Sequence, residues 1–396
     1  MMKTGGLQLS RDMINRRVQE LKPSGIRRFF ELIIGRDDVI SLGVGEPDFS
    51  VPWRIREEMI YSLEKGITSY TSNYGLLELR EGIAEYYKKF GLDTGSENVF
   101  ITTGVSEGID LALRAVINPG EKVLVPEPTY VSYQPLAYIA GADVVSIPTD
   151  PEFRLTYESI MKYRDENIKA LMLNYPNNPT GVSLRKREIE EIADAVIELD
   201  CIVISDEIYA ELSYNFRHFS MAGLNGMFER TVVLNGFSKG FAMTGMRVGY
   251  AIASEKILDA MVKIHQYSML CAPVTAQIGA LEALRNGEGE LERMRSEYMR
   301  RRNFFVRKLR GMFDVVMPDG AFYAFPDISS TGLDGERFAE KLLLEKNVAV
   351  VPGNAFGDCG KNYVRCAYAV SMDKLRIAVE RMEDLVNSIH GSGSGT

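Results

Sequence analysis

The sequence predicts an α/β protein: a mainly parallel sheet covered on both faces by helices, followed by a smaller α/β unit. Three observations lead there. Between about residues 98 and 253, short strand-like runs alternate with helical patterns. Those strands are almost continuously apolar, which suits burial on both faces better than the alternation of a half-exposed sheet. With 396 residues, 45% of them apolar, the chain can bury a large core, and its length favours two domains over one.

Taken in order, residues 11–34 carry two helical patterns broken at Pro23, the second capped by Ser24 and stopped by Gly35. A strand over 39–42 leads into GVGEPDF, where Gly43 and Gly45 lack the third glycine of a dinucleotide fingerprint, so no Rossmann site is expected. Helices over 52–65 and 76–90 flank the polar loop ITSYTSNYG. Strands then follow at 98–102, 122–125, 143–147, 169–173, 201–205, 231–234 and 247–253, with helices at 105–117, 129–139, 156–163 and 184–199 between them. Helices at 255–266 and 273–286 precede a break at 287–289 and a long charged helix over 290–309. Strands at 321–325, 347–351 and 363–367 and a helix over 372–388 complete the smaller unit. The expected division is an N-terminal segment (1–45) packing with the small domain, a large domain (46–288), a small domain (289–390) and a linker-like tail (391–396).

Composition narrows the function. A net charge of −8 and the lack of any run of five basic residues argue against a nucleic-acid partner. No apolar run reaches the roughly 18 residues of a membrane span, and MMKTGGLQLS lacks the apolar core of a signal peptide, so a cytoplasmic protein is expected. Cys201, Cys271, Cys359 and Cys366 have no CxxC spacing and read as buried free thiols. With three scattered histidines, they give a metal site little to work with.

The polar residues able to do chemistry fall just after predicted strands, where ligands of such sheets gather. Lys239 ends a strand among Gly236, Ser238, Gly240, Thr244 and Gly245, a backbone and hydroxyl setting suited to an anion, and Arg247 follows eight positions on. Asp206 follows a buried strand in CIVISDEIY, with Tyr209 three residues beyond. TTGVSEG places the backbone N–H groups of Gly104, Val105 and Ser106 at a helix N-terminus, where an anion is favoured. Tyr130 in PTYVSY and Asn178 in YPNNPTG occupy similar loops. Arg365 interrupts the apolar run NYVRCAYAVS, so it must be paired or face a cleft.

SKGFAMTGMRVGY, from Ser238 to Tyr250, resembles the cofactor-lysine segment of fold-type I pyridoxal-phosphate enzymes, specifically the class I/II aminotransferases, with their SK and G-x-R-x-G-Y pattern. The likeness runs from Ser41 to about Ala369 and is closest to archaeal-type aspartate and aromatic aminotransferases. YPNNPTG matches the family's N-P-x-N-P-T-G loop except at Tyr175. The resemblance implies a large domain with a mainly parallel seven-stranded sheet, and pyridoxal 5'-phosphate held covalently by Lys239. Such a bond is needed because a lysine of pKa ~10.4 is uncharged in only about one molecule in 2500 at pH 7. It implies Asp206 at the ring nitrogen, Tyr209 and Asn178 at the phenolic oxygen, and Tyr130 stacked on the ring. Gly104, Val105, Ser106, Ser238 and Arg247 would hold the phosphate. Gly45, Asn178 and Arg365 would bind the substrate, Arg365 supplying the planar fork that an α-carboxylate needs. Tyr70 would reach the phosphate in the other subunit, implying a homodimer with shared active sites.

The expected activity is transfer of the amino group of an L-amino acid (aspartate and/or aromatic) to 2-oxoglutarate by a ping-pong mechanism. A carbon–sulfur β-lyase is the alternative on the same fold. The effector domain of a transcription regulator is a third reading, disfavoured by the acidic charge and by a shared pattern starting near Val39. No lysine stands at Ser106, where several aspartate-type relatives carry one. Arg27 and Arg28 read as surface helix arginines, which tilts the expectation toward aromatic or broad specificity.

Overall fold

The computed structural model describes residues 14–21, 35–36 and 38–393. The second N-terminal helix, with Arg27 and Arg28, lies outside the described residues.

Seven strands form the central sheet: β2 (Val99–Thr102), β3 (Lys122–Glu127), β4 (Asp143–Pro148), β5 (Ile168–Asn174), β6 (Ile202–Asp206), β7 (Thr231–Gly236) and β8 (Gly249–Ile252). Their spatial order is β2-β8-β7-β6-β5-β3-β4, and only β8 runs against the rest. The central strands are buried on both faces because helices cover both. On one side Leu234, Ala251 and Phe100 pack with Ile109 and Met261 of helices Val105–Val116 and Glu255–Ser268. On the other, Leu171 and Val203 meet Ile189 and Ile192 of helix Lys186–Leu199, while Ile101 and Val233 meet Leu79 and Ile83. Residues of one strand serve the two cores alternately, as the two-residue period of a strand requires.

A second layer of structure follows helix Glu288–Leu309. Here β9 (Tyr323–Ala324), β11 (Val351–Pro352) and β12 (Val364–Ala367) make an antiparallel sheet of order β11-β12-β9, backed by helices Gly335–Lys346 and Met372–Gly393. β1 (Ile40–Ser41) pairs in parallel with β10 (Val348–Ala349). A core uniting Tyr298, Phe305, Phe322 and Tyr323 with Ile208 and Tyr209 joins this unit to the exit of β6. Among the described residues no helix is long and apolar enough to cross a membrane.

Several boundaries move for local reasons. The helix expected over 129–139 starts only at Tyr133; ahead of it the chain is a loop whose Thr129 N–H donates to the Phe356 carbonyl at 2.9 Å. The strand expected over 247–253 starts at Gly249, since Arg247 is left-handed (φ 54°) after the turn Thr244–Met246. The strand expected over 321–325 shortens to β9 because Ala321 has φ 54°. That over 347–351 divides at Val350, giving β10 to β1 and β11 to β12. The charged helix begins at Glu288 rather than 290. The cysteines are all free, as expected, but only Cys201 and Cys366 are buried; Cys359 is exposed and Cys271 lies between.

Leu234 is fully buried on β7, and a Cβ added to Gly108 of helix Val105–Val116 would lie 3.0 Å from its Cδ2. Leu234→Ala opens a cavity under the helix that starts beside the lysine loop. It is expected to lower unfolding stability by about 2–5 kcal/mol, read as a fall in the urea midpoint at unchanged slope.

Candidate active site

The register of the sheet brings the site together. At the carboxyl edge Asn174 closes β5 opposite Asp206 of β6, which in turn sits opposite Leu234 of β7, five residues before Lys239. Strands that read as buried apolar runs thus end together on polar residues. They open into a cavity of about 430 Å³ lined by Gly45, Val105, Ser106, Tyr130, Asn178, Asp206, Tyr209, Ser238, Lys239, Arg247 and Arg365. Gly104 lies directly behind it, since a Cβ there would collide with the Arg247 guanidinium. Tyr70 alone among the predicted site residues stands apart, 80% exposed on its loop.

Lys239 Nζ donates to the Gly45 carbonyl at 2.7 Å. Burial pushes its pKa down to about 8, with the Arg365 and Arg247 cations acting in the same sense and Glu46 and Asp206 opposing. At pH 7 about a tenth of such amines are uncharged, far more than for a solvated lysine.

Asp206 is buried, its Oδ2 accepting from the Tyr133 hydroxyl at 2.7 Å and its Oδ1 from the Ile208 N–H at 3.1 Å. Burial nevertheless raises its pKa to about 6, against those two hydrogen bonds. A carboxylate so poorly solvated gains much from a cationic N–H placed against it. Glu207, by contrast, turns away from the cavity.

On the opposite wall Arg365 of β12 is 3% exposed. Its Nη1 donates to Asn178 Oδ1 at 3.0 Å and its Nη2 to the Gly43 carbonyl at 2.6 Å, while Nε has no partner. The guanidinium lies 4.6 Å from the Tyr323 ring centre and 5.0 Å from that of Phe356. Tyr209 and Tyr323 share a hydroxyl–hydroxyl hydrogen bond of 2.8 Å.

At the cavity's other end Gly104, with φ 76°, precedes helix Val105–Val116 and lies against the Arg247 guanidinium; Arg247 Nη1 donates to the Thr244 carbonyl at 2.9 Å. Gly249 makes that approach feasible, because a Cβ there would come within 2.8 Å of the Gly104 carbonyl carbon and the Val105 nitrogen. The buried Ser238 hydroxyl completes a set of donors suited to a phosphate.

Sequence reasoning missed three participants. Tyr133, in the same PTYVSY string as Tyr130, is the residue that holds Asp206. Asn174, the polar end of an apolar strand, donates to the Asp206 carbonyl at 2.9 Å and accepts from the Asn178 N–H at 3.1 Å. Tyr323 sits in a short strand distant in sequence and carried no local signal.

An amine held near neutrality, a buried acid facing it, a phosphate-type cradle and a half-satisfied arginine together fit pyridoxal phosphate and an amino acid. That combination defines a pyridoxal-phosphate enzyme on the fold-type I scaffold. The chain belongs to the class I and II aminotransferases, the family model "Aminotransferase class I and II" matching residues 37–382. It is 45% identical to the aspartate aminotransferase of Pyrococcus abyssi over 93% of this chain and 97% of that protein. It is 43% identical to aromatic-amino-acid aminotransferase 2 of Thermococcus litoralis, with the same coverage. The crystal structure of the aromatic aminotransferase from Pyrococcus horikoshii superposes with a TM-score of 0.87 at 45% identity, covering 92% of this chain and 99% of that one. Pyridoxal phosphate is the cofactor of this family.

The lowered lysine pKa has a kinetic consequence. The rate at which cofactor-free protein captures pyridoxal phosphate should rise with pH and level off above about 8 instead of climbing toward ~10.4. Stopped-flow visible absorbance across that range checks it; a plateau only near the solvated value would contradict the assigned environment.

Proposed function

We propose that the enzyme moves the amino group of an L-amino acid, aspartate and/or aromatic, to 2-oxoglutarate by a ping-pong mechanism. The observation that carries this reading is the convergence of Lys239, Asp206, Asn178 and Arg365 on one cavity. Bound there, pyridoxal phosphate supplies the electron sink that makes an amino acid's Cα–H acidic. Lys239 holds the cofactor and then carries the Cα proton, a role usually worth ~10²- to 10⁴-fold in rate. Asp206 keeps the ring nitrogen protonated, oriented by Tyr133. Asn178 and Tyr209 would serve the phenolic oxygen, and Tyr130 would stack on the ring. Ser238, Arg247 and the N–H groups of Gly104, Val105 and Ser106 receive the phosphate. Arg365, with Asn178 and Gly45, receives the α-carboxylate.

Among the described residues three cations line the cavity, Lys239, Arg247 and Arg365, and each has a task in this scheme. Among the described residues none remains for a substrate's second carboxylate, while Ile109, Val131 and Ile208 add apolar wall. This supports aromatic or broad specificity. We take the assembly to be a cytoplasmic homodimer: Tyr70 is exposed and does not line its own chain's cavity, and Trp53, Leu63 and Tyr267 are likewise exposed. We take the chain to divide at residues 45, 288 and 390, so that Arg365 and Tyr323 come from the small domain and Lys239 and Asp206 from the large one.

Initial rates with aspartate, tyrosine, phenylalanine and alanine against 2-oxoglutarate should give parallel double-reciprocal lines, with the highest kcat/KM for an aromatic donor. Pyruvate and ammonia formed from a cysteine conjugate without any keto acid would instead favour the lyase. Arg365→Lys should raise KM for every amino acid by about tenfold or more, the loss of a bidentate charge-assisted pair, while leaving the cofactor's absorbance intact. An unchanged KM would remove Arg365 from its role.

A further inference from the structure

Behind the active-site acid stands a second buried carboxylate that the chemistry does not use. Glu207 is 1% exposed. Its Oε1 accepts from the hydroxyls of Ser205 at 3.1 Å and Ser220 at 2.8 Å. Its Oε2 accepts from the Tyr87 hydroxyl at 3.2 Å and lies 3.0 Å from His218 Nε2, an ion-pair approach outside good hydrogen-bond angles. Asn235 Nδ2 donates to the Tyr87 hydroxyl at 2.8 Å, and His218 rests edge-on against Phe90, the ring centres 5.4 Å apart. The cluster therefore draws on helix Leu77–Tyr87, strands β6 and β7, and the loop containing His218 and Ser220.

A buried carboxylate needs several hydrogen-bond donors, and here they come from a strand residue of β6, a helix residue and the loop containing Ser220. The backbone of the same residue is equally constrained. Glu207 N–H donates to the Leu234 carbonyl at 2.8 Å, and its carbonyl accepts from Ala210 N–H at 2.8 Å. Asp206 lies immediately before this point and Tyr209 two residues after it. Facing Asp206 on the cavity side are Tyr133, Tyr209 and Lys239; facing Glu207 on the far side are Tyr87, His218 and, through Tyr87, Tyr250.

We propose that Glu207, clamped by Ser205, Ser220, Tyr87 and His218, is a positioning residue for amino transfer: it fixes from behind the segment that aims Asp206 and Tyr209 into the cavity. A segment anchored through one side chain on its far face and two backbone bonds cannot rotate to relieve the unfavourable burial of Asp206. The acid is therefore held in place before the cofactor arrives. The substrate-carboxylate site is independent of this clamp, since Arg365 is held by Gly43 and Asn178.

The proposal rests on Asp206 serving the ring nitrogen, so Asp206→Asn is measured alongside. In Glu207→Leu the clamp is lost. The dissociation constant of pyridoxal phosphate, titrated into cofactor-free protein, should rise about 10- to 100-fold, and kcat should fall by a similar factor, with KM for the amino acid close to parental. Glu207→Gln, which keeps an oxygen for the two serine hydroxyls, should restore most of both. Should the leucine variant fail to fold, Ser220→Ala, which removes one donor only, should give several-fold changes in the same two quantities at an unchanged thermal midpoint. Parental cofactor affinity and kcat in folded Glu207→Leu, or in Ser220→Ala if that variant must stand in, would overturn the proposal while Asp206→Asn is impaired. An unimpaired Asp206→Asn would instead overturn the reading of Asp206 beneath it.

Discussion

The whole site depends on lowering the pKa of one lysine amine toward neutral pH inside a protein that must also hold cations around it. For Lys239 burial does most of this, the Arg365 and Arg247 guanidinium groups act in the same sense, and the acids Glu46 and Asp206 oppose them. Remove the carboxylates and the cavity would carry three uncompensated positive groups. Remove the cations and the pKa of the amine would rise, although burial would still hold it down. The sheet supplies the rigidity that this balance requires, because β5, β6 and β7 end side by side and their terminal residues have little freedom to drift.

Such an arrangement carries a thermodynamic cost that shows in the cofactor-free protein. Lys239 titrates lower folded than unfolded, so the folded chain binds fewer protons between about 8 and the solvated lysine range, and stability rises with pH through that window. Asp206 titrates higher folded than unfolded. Its contribution falls as pH rises from its model-peptide range to about 6. Both groups thus oppose folding at neutral pH, where Lys239 is mostly protonated and Asp206 mostly ionised. Binding energy of the cofactor offsets strain already present in the fold.

Much of this was legible in the sequence, for identifiable reasons. The parallel sheet followed from apolar runs at regular intervals. The residues proposed for the site lay in short contiguous strings whose spacing survives folding, so Lys239, Asp206, Asn178, Arg247 and Arg365, which line one cavity, could be assembled without coordinates. What escaped were contacts between strings. Tyr133 looked like one more aromatic of a helix, because only folding brings its hydroxyl onto Asp206. Tyr323 is more than a hundred residues from its partner Tyr209. The left-handed turns at Arg247 and Ala321 were equally hidden, since neither residue type announces a positive φ. Nor did strand alternation reveal that the Glu207 side chain would find three hydroxyl donors of its own.

The arrangement of Arg365 has one more consequence. Two of its nitrogens are already engaged by groups of the protein, the Gly43 carbonyl and the Asn178 side chain. Its Nε–H has no partner, so in the proposed role an arriving carboxylate would find a donor waiting in a poorly solvated corner without first breaking the contacts that hold the side chain. A simple amine would leave that donor as it was. On this proposal, discrimination between amino acids and other primary amines begins with an unfilled valence of the protein, decided before any bond to hydrogen is broken.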